Sequence, residues 1–190
     1  THFDSAGNVV GATSFTDPDG DNFFPTVLVA TGGEAVIAGG TAPGGGLAGP
    51  MFAARFDAAG ALRFARWYSA NDGLFDIAPS AGIPAANGDV TLAGSVNGHS
   101  RGFVARLRQD GSVAGGSFPD LPPSLTRSFA LHSIAALPTT GYVVAGSATD
   151  YTATAIDGAT SLIVAGLDAV GGVLWSRQYT LGGGEQYLDS

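Results

Sequence analysis

Three aspartates lie close together in the segment Asp17-Pro18-Asp19-Gly20-Asp21. Carboxylates that alternate around a glycine turn can surround Ca²⁺, which takes about six to eight oxygen ligands. The ninth position of this segment, where a calcium loop often carries a further ligand, is Pro25. The segment therefore predicts a calcium site formed by Asp17, Asp19 and Asp21. The alternative is a polar connection between two structural units.

A second segment, Gly98-His99-Ser100-Arg101-Gly102, matches the Gly-x-Ser-x-Gly pattern of serine hydrolases. In those enzymes the serine lies on a turn between a strand and a helix, beside backbone N–H groups that stabilise an oxyanion. The residues that follow here alternate as a strand does, and no helix is predicted. We therefore expect Ser100 to lie in a polar turn and not to act as a nucleophile.

The glycine-rich segment Gly44-Gly45-Gly46-Leu47-Ala48-Gly49 contains the Gly-x-Gly-x-x-Gly pattern of dinucleotide-binding proteins. That pattern binds a cofactor only where a helix begins directly after it. Pro50 and an alternating strand pattern follow instead. The segment therefore predicts a loop without a dinucleotide.

Histidine and tryptophan side chains could form two further kinds of site. His2, His99 and His132 lie in different parts of the chain, and none has a second histidine or carboxylate at ligand spacing. The apolar neighbours of His132 predict a packed side chain instead of a zinc ligand. Trp67 and Trp175 are able to stack on sugar rings, but we expect them to cover the edge of a sheet.

The charge and composition exclude several classes of partner and site. The chain has 190 residues, a net charge of −8, and arginine as its only basic residue type besides histidine. Such an acidic surface repels phosphate backbones, so no nucleic-acid partner is expected. No apolar run reaches the roughly 18 residues of a membrane span. The lack of cysteine excludes disulfides and thiolate metal sites.

One short pattern occurs four times along the chain. An apolar residue, usually with an aspartate nearby, is followed four positions later by glycine, in Phe3–Gly7, Phe56–Gly60, Leu107–Gly111 and Leu167–Gly171. A spacing of about 50 to 60 residues indicates an array of similar structural units. The 30 glycines of the chain favour short strands joined by many turns.

Each full repeat predicts four short strands, a to d, joined as an antiparallel meander. Strand b ends with Ala-Gly in all three repeats. Strand c alternates most clearly between apolar and other residues. This predicts that one face of the strand is more buried than the other. The predicted strands are a at 26–30, 76–78 and 133–137, b at 35–38, 90–93 and 142–145, c at 52–56, 103–107 and 163–167, and d at 62–68, from 113, and at 173–179. The side chains expected to be buried between units are Phe52, Phe56, Phe103, Leu107, Ile163 and Leu167.

Four strands in about 50 residues match the size and strand order of a β-propeller blade. We predict an all-β, propeller-like array of about three and a half four-stranded antiparallel blades. The predicted boundaries are 1–15 for strands c and d of a first blade, 16–69, 70–121 and 122–181 for three blades, and 182–190 for the start of another. Because closed propellers usually have about 4–8 blades, we expect further blades of the same polypeptide, or a second copy, to complete the array.

The repeated motif resembles that of bacterial β-propeller repeat proteins of the delta-60 and SBBP type. The segment Gly102-Phe103-Val104-Ala105-Arg106-Leu107-Arg108-Gln109-Asp110-Gly111-Ser112-Val113 carries the resemblance most clearly, and the segments at 141–147 and 173–179 also fit. The loop at 147–160 departs from the compact repeat. The resemblance implies a propeller fold and an extracellular or cell-surface bacterial location, with a periplasmic one as the alternative.

No group of residues in the sequence forms a convincing catalytic constellation. We therefore predict a non-catalytic module of a secreted or cell-surface protein, which binds a protein or a glycan or acts in assembly. Two alternatives stay open. One is a propeller-fold lyase or hydrolase that acts on carbohydrate, and the other is a structural subunit of an extracellular appendage or filament.

Overall fold

The computed structural model describes residues 2–3, 9–11, 22–42, 49–69, 76–97, 101–119, 121, 127–138, 141–150 and 160–180. Within these ranges the chain is all-β and contains no helix. A two-stranded sheet, β1 (His2–Phe3) and β2 (Val9–Gly11), precedes three four-stranded antiparallel sheets. The predicted fold class is therefore confirmed, and the three sheets are compatible with propeller-like blades.

The strands of the three larger sheets follow one another along the chain. Sheet 1 contains β3 (Asn22–Thr31), β4 (Glu34–Ala42), β5 (Met51–Phe56) and β6 (Leu62–Tyr68). Sheet 2 contains β7 (Asp76–Pro84), β8 (Val90–Asn97), β9 (Arg101–Leu107) and β10 (Val113–Ser117). Sheet 3 contains β11 (Arg127–Ala136), β12 (Tyr142–Asp150), β13 (Thr160–Leu167) and β14 (Val173–Thr180). In each sheet neighbouring strands are consecutive, so each is a meander.

The repeated turn pattern closes the hairpin between the third and fourth strands. Asp57 Oδ1 accepts hydrogen bonds from the backbone N–H groups of Ala59 and Ala61, at 3.0 and 2.9 Å. Asp168 does the same two repeats later, with bonds of 2.9 and 2.8 Å. Gly60 ends its turn with φ +79°, a conformation that costs other residues about 1–2 kcal/mol. The motif therefore repeats because each hairpin needs the same turn chemistry.

The first two strands of each sheet share one irregularity. The register shifts between Pro25 and Val27 in β3, and at the equivalent places in β7 and β11. These bulges bring the first strand very close to the second. A Cβ atom on Gly39 would lie 2.1 Å from the carbonyl oxygen of Phe24. The glycine that ends each Ala-Gly motif is thus required by close backbone approach.

Two hydrophobic cores lie between successive sheets. The first joins Val27, Val29 and Ala53 of sheet 1 to Leu92 and Phe103 of sheet 2. The second joins the opposite face of sheet 2 to sheet 3 and contains, among others, Ala93, Val104, Leu131, Val144 and Ile163. Strands β8 and β9 of sheet 2 therefore have buried side chains on both faces.

The burial predicted for strand c is confirmed at five of its six positions. Phe56, Phe103, Leu107, Ile163 and Leu167 are buried.

Phe52 is the exception, because it is only partly buried. Its ring contacts Trp67 on the neighbouring strand, with centroids 4.8 Å apart. The alternation predicts that one face of this strand is more buried than the other. In β5 both faces are buried, because Ala53 and Arg55 on the opposite face are buried as well.

Candidate functional site

An arginine pairs with an acid at the same position of two successive sheets. Arg55 Nε donates to Glu34 Oε2 at 2.5 Å, and Arg106 Nε donates to Asp89 Oδ2 at 2.9 Å. The two ion pairs are equivalent in the strand register. In each sheet, the residue two positions after the acid lies on the second strand, directly opposite the arginine on the third strand. In sheet 3 the residue at the position equivalent to these arginines is Gly166.

The residue opposite this arginine on the fourth strand differs among the sheets. Phe64 lies opposite Arg55, Gly115 opposite Arg106, and Trp175 opposite Gly166. Among the three four-stranded sheets, the aromatic side chain is therefore missing from sheet 2.

The exposure of the two arginines follows this difference. Beside Phe64, the Arg55 side chain is 3% exposed, and its Nη1 donates to the carbonyl oxygen of Gly88 at 2.7 Å. The Arg106 side chain is 36% exposed. A Cβ atom on Gly115 would find nothing within 4 Å. The space that Phe64 fills in sheet 1 is open beside Arg106.

The open space forms a cleft of about 320 Å³ between sheets 2 and 3. We call it the sheet 2–3 cleft. Its lining includes the following residues: Thr91, Arg106, Gly115, Ser117, Tyr142 and Gly171. Val104, which is buried, adds an apolar surface. A volume of this size is near the lower end of the range for small-ligand sites.

Hydroxyl groups provide most of the polarity in the cleft. Thr91 Oγ1 donates to the Tyr142 hydroxyl oxygen at 3.3 Å, and Ser117 Oγ donates to the carbonyl oxygen of Gly171 at 3.1 Å. Arg106 adds a cation at one wall. The cleft therefore combines an apolar floor with a few hydrogen-bonding groups and one positive charge, which is the composition of a binding site.

Between sheets 1 and 2 the corresponding region is closed. The Tyr68 hydroxyl donates to the carbonyl oxygen of Gly111 at 2.7 Å. Burial raises the pKa of Tyr68 to about 12, while Arg66 opposes and Asp110 adds to the increase. Tyr68 thus stabilises this interface in its neutral form.

The turn beside this interface holds a carboxylate with a lowered pKa. Asp110 Oδ1 accepts a hydrogen bond from the backbone N–H of Ser112 at 2.8 Å. Hydrogen bonds from Ser112 lower the pKa of Asp110, with smaller contributions from Arg66 and Arg108. This fits a carboxylate that stays charged to hold its turn.

The residues proposed for calcium and for nucleophilic chemistry lie outside the described part of the chain. These are Asp17, Asp19 and Asp21, and also Ser100. The strand predicted after Ser100 is confirmed as β9, which begins at Arg101. The calcium site stays a prediction.

Both glycine-rich patterns lead into strands. Gly49 and Pro50 precede β5, so no helix follows the Gly-x-Gly-x-x-Gly pattern. Gly102 is buried, and a Cβ atom there would lie 2.7 Å from side-chain atoms of Leu131 and Phe129. The last glycine of Gly-x-Ser-x-Gly therefore serves packing between sheets 2 and 3.

The prediction of a packed His132 is wrong. His132 is exposed, because it is the extra residue of the bulge in β11, where the register passes from Leu131 to Ser133. Its Nε2 lies 2.9 Å from Ser147 Oγ. This pair has the separation that a serine nucleophile and its base require. The other ring nitrogen has no hydrogen bond to any residue that the structure describes.

Both tryptophans lie on the fourth strand of their sheets and contact the third strand. Trp67 packs on Phe52, and a Cβ atom on Gly166 would lie 2.3 Å from Trp175 Nε1. They cover the outer part of the sheet, as expected, although Trp67 is 47% exposed.

Two kinds of feature do not occur in the described part of the chain. Within the described ranges, no three histidine or acidic side chains come together as metal ligands. The same part of the chain has no helix with the length and hydropathy of a membrane span.

Comparison with known proteins gives no family assignment. No protein-family model matches the chain. No curated protein matches it either. One solved structure with a similar backbone is a protein of unknown function from Bacteroides caccae, at 11% sequence identity and a TM-score of 0.41. The match covers 87% of this chain and 60% of that protein, so this chain spans less than two thirds of its length.

The sheet 2–3 cleft was not found from the sequence, although a signal was present. The sequence aligns Phe64 with Trp175 at a fixed distance from the turn glycine, and the same distance in sheet 2 gives Gly115. A glycine at a position that is aromatic in both neighbours indicates a missing side chain. Only the packing shows that, among the described residues, nothing lies within 4 Å of a Cβ atom at Gly115.

Proposed function

We propose that this chain is a non-catalytic binding module of a secreted or cell-surface bacterial protein, and that it binds a protein or a glycan. The observation that carries the proposal is the sheet 2–3 cleft. Its hydroxyl groups and the cation of Arg106 surround an apolar floor, while the equivalent space beside Arg55 is filled by Phe64. Sheets that pack in the same way but leave one cleft open are suited to binding a ligand without catalysing a reaction.

Binding and turnover should be measured on the same ligands. The chain would be immobilised and exposed to a panel of bacterial polysaccharides and purified bacterial surface proteins, with surface plasmon resonance as the readout. Each ligand would then be incubated with the chain and analysed for cleavage by reducing-end assay or gel electrophoresis. We expect saturable binding to at least one ligand, which is recovered intact. Binding to none of them would contradict the proposal.

A hydrolase is the second candidate, and the contact between His132 and Ser147 favours it. Serine needs a base at hydrogen-bond distance to become a nucleophile, and this pair provides one at 2.9 Å. The matched variants are Ser147→Ala and Ser133→Ala, since Ser133 is a neighbouring exposed serine on β11. Cleavage of a panel ligand that Ser147→Ala abolishes and Ser133→Ala leaves unchanged would replace the binding proposal with a hydrolase.

A further inference from the structure

We infer that the sheet 2–3 cleft receives an aromatic side chain of a partner polypeptide, in the place where sheet 1 carries its own Phe64. This inference rests on the proposed function, because it names the ligand class of the same cleft. The partner residue is a phenylalanine, tyrosine or tryptophan that enters beside Arg106 and the backbone of Gly115.

The repeat supplies the geometry of the bound ring. Phe64 lies opposite Arg55 and packs on the turn glycine of the next sheet, because a Cβ atom on Gly111 would be 2.8 Å from Phe64 Cδ2. The sheet 2–3 cleft has Arg106 at the place of Arg55, but Ser117 covers the turn glycine Gly171, because a Cβ atom on Gly171 would lie 2.7 Å from Ser117 Cβ. The open part of the cleft is therefore the space between Arg106, Gly115 and the Ser117 side chain, where sheet 1 has a ring and sheet 2 has none.

The size of the cleft suits one aromatic side chain. A cavity of roughly 150 Å³ is enough to hold a benzene ring, and the sheet 2–3 cleft measures about 320 Å³. The larger volume accommodates a phenol or an indole with the start of its backbone. Gly115 and Gly116 present backbone without side chains, so a ring can lie close to β10.

The chemistry of the walls also favours an aromatic ring over an aliphatic one. The guanidinium group of Arg106 can contact the negative face of a ring. The half-buried Tyr142, whose hydroxyl accepts from Thr91 Oγ1, places a hydroxyl group where a tyrosine O–H or a tryptophan N–H would find a partner. An aliphatic side chain would fill volume but use neither contact.

The mouth of the cleft favours a polypeptide as the source of the ring. Val170 lines the cleft and is 80% exposed, so it adds apolar surface beside the entrance. Residues that flank an inserted side chain would contact this surface. A free aromatic molecule would leave it exposed.

The test uses a blocked amino acid as the probe. The ¹⁵N-labelled chain would be titrated with N-acetyl-tryptophanamide and followed by amide chemical shifts. We expect the shifts to concentrate at Gly115, Ser117 and Gly171, with one shared dissociation constant. N-acetyl-leucinamide should bind at least about tenfold more weakly, since it cannot use the cation.

The decisive variant is Gly115→Phe, which places an aromatic ring in the cleft from within the chain. We expect it to weaken probe binding at least about tenfold, a loss of ~1.4 kcal/mol. The control is Ala65→Phe, which adds the same side chain at an exposed position of β6 in sheet 1. The control should bind the probe as the unchanged chain does. If Gly115→Phe does not fold, Arg106→Gln replaces it, with weaker binding expected.

Four results would overturn the inference, and the fourth also separates it from the proposed function. The first is unchanged probe binding in a folded Gly115→Phe variant or, where that variant does not fold, in Arg106→Gln. The second is equal binding of the leucine and tryptophan probes. The third is tighter binding of indole-3-acetate than of N-acetyl-tryptophanamide, which would assign the cleft to small aromatic acids. A panel ligand that still binds Gly115→Phe would refute this inference and leave the proposed binding function intact.

Discussion

Arg55 and Arg106 show how one residue position can serve packing in one repeat and recognition in the next. Both pair with an acid where the second strand of their sheet begins: Glu34 is the first residue of β4, and Asp89 directly precedes β8. Arg55 is covered and bridges to the next sheet, so its charge is used inside the protein. Arg106 faces the sheet 2–3 cleft, so part of its surface is accessible to a ligand. The neighbour across the strand pair decides between the two roles.

Removal of a core ring tests the burial of strand c at the residue scale. We expect Phe103→Ala to lower the free energy of unfolding by about 3–5 kcal/mol, because its ring is buried between sheets 1 and 2. Leu174→Ala is the control, since Leu174 is 60% exposed. The measurement is urea unfolding at equilibrium. A loss below about 1 kcal/mol for Phe103→Ala would show that the ring is not in a core.

Tyr68 gives the stability a dependence on alkaline pH. Burial raises the pKa of Tyr68 to about 12, above the value of about 10 in an unfolded chain. The folded state therefore favours the neutral phenol. This contribution is complete below about pH 10 and is lost as the pH rises toward 12.

The check is the free energy of unfolding at about pH 9 and about pH 11. We expect it to fall more in the unchanged chain than in Tyr68→Phe. Tyr68→Phe should also be less stable at the lower pH, because it loses the hydrogen bond to Gly111. An equal decline in both proteins would assign the pH dependence to other groups.

At the scale of elements, the bulge in the first strand dictates the glycine in the second. Gly39 lies where β3 approaches β4 most closely, and Gly94 and Gly146 hold the same place in sheets 2 and 3. The sequence shows the repeated Ala-Gly motif, but the bulge that explains it is visible only in the paired strands.

Two neighbouring glycines of β4 make a matched test of this explanation. We expect Gly39→Ala to destabilise the fold by about 1–3 kcal/mol, because its methyl group would overlap the carbonyl of Phe24. Gly40→Ala should be nearly neutral, since nothing lies within 4 Å of a Cβ atom there. Thermal unfolding of both variants decides the matter. Equal effects would mean that the close approach has no energetic consequence.

At the scale of the whole molecule, sheet 2 connects its neighbours. It contributes Phe103 and Leu92 to the first core, and Ala93 and Val104 to the second. A change that loosens sheet 2 therefore affects both of its neighbours. Such shared interfaces couple units that could otherwise unfold separately.

The two tryptophans allow this coupling to be measured. Trp67 lies in sheet 1 and Trp175 in sheet 3. The Trp175→Phe variant reports on Trp67 alone, and the Trp67→Phe variant reports on Trp175 alone. We expect both fluorescence signals to change at the same urea concentration. The comparison is corrected for the stability of each variant, which is measured by circular dichroism. Coincident transitions are the sign of one cooperative unit. Two separated transitions would show that sheets 1 and 3 unfold independently.

The sequence by itself determined the repeat, the all-β class and the approximate place of each strand. These follow from local rules, because turn glycines and alternating side chains act over a few residues. The strands are longer than predicted in β7 and β11, where bulges interrupt the alternation.

The tertiary structure alone decided which faces are buried and where a space remains open. Burial of β8 and β9 on both faces and the cleft beside Arg106 depend on residues in different sheets, such as Thr91 and Tyr142. Exposure of His132 depends on the bulge that forms when β11 pairs with β12. No local pattern reports whether a neighbouring sheet fills the place of a missing ring. The sequence aligns Gly115 with Phe64 and Trp175. Only the packed sheets show that the space beside Gly115 is open.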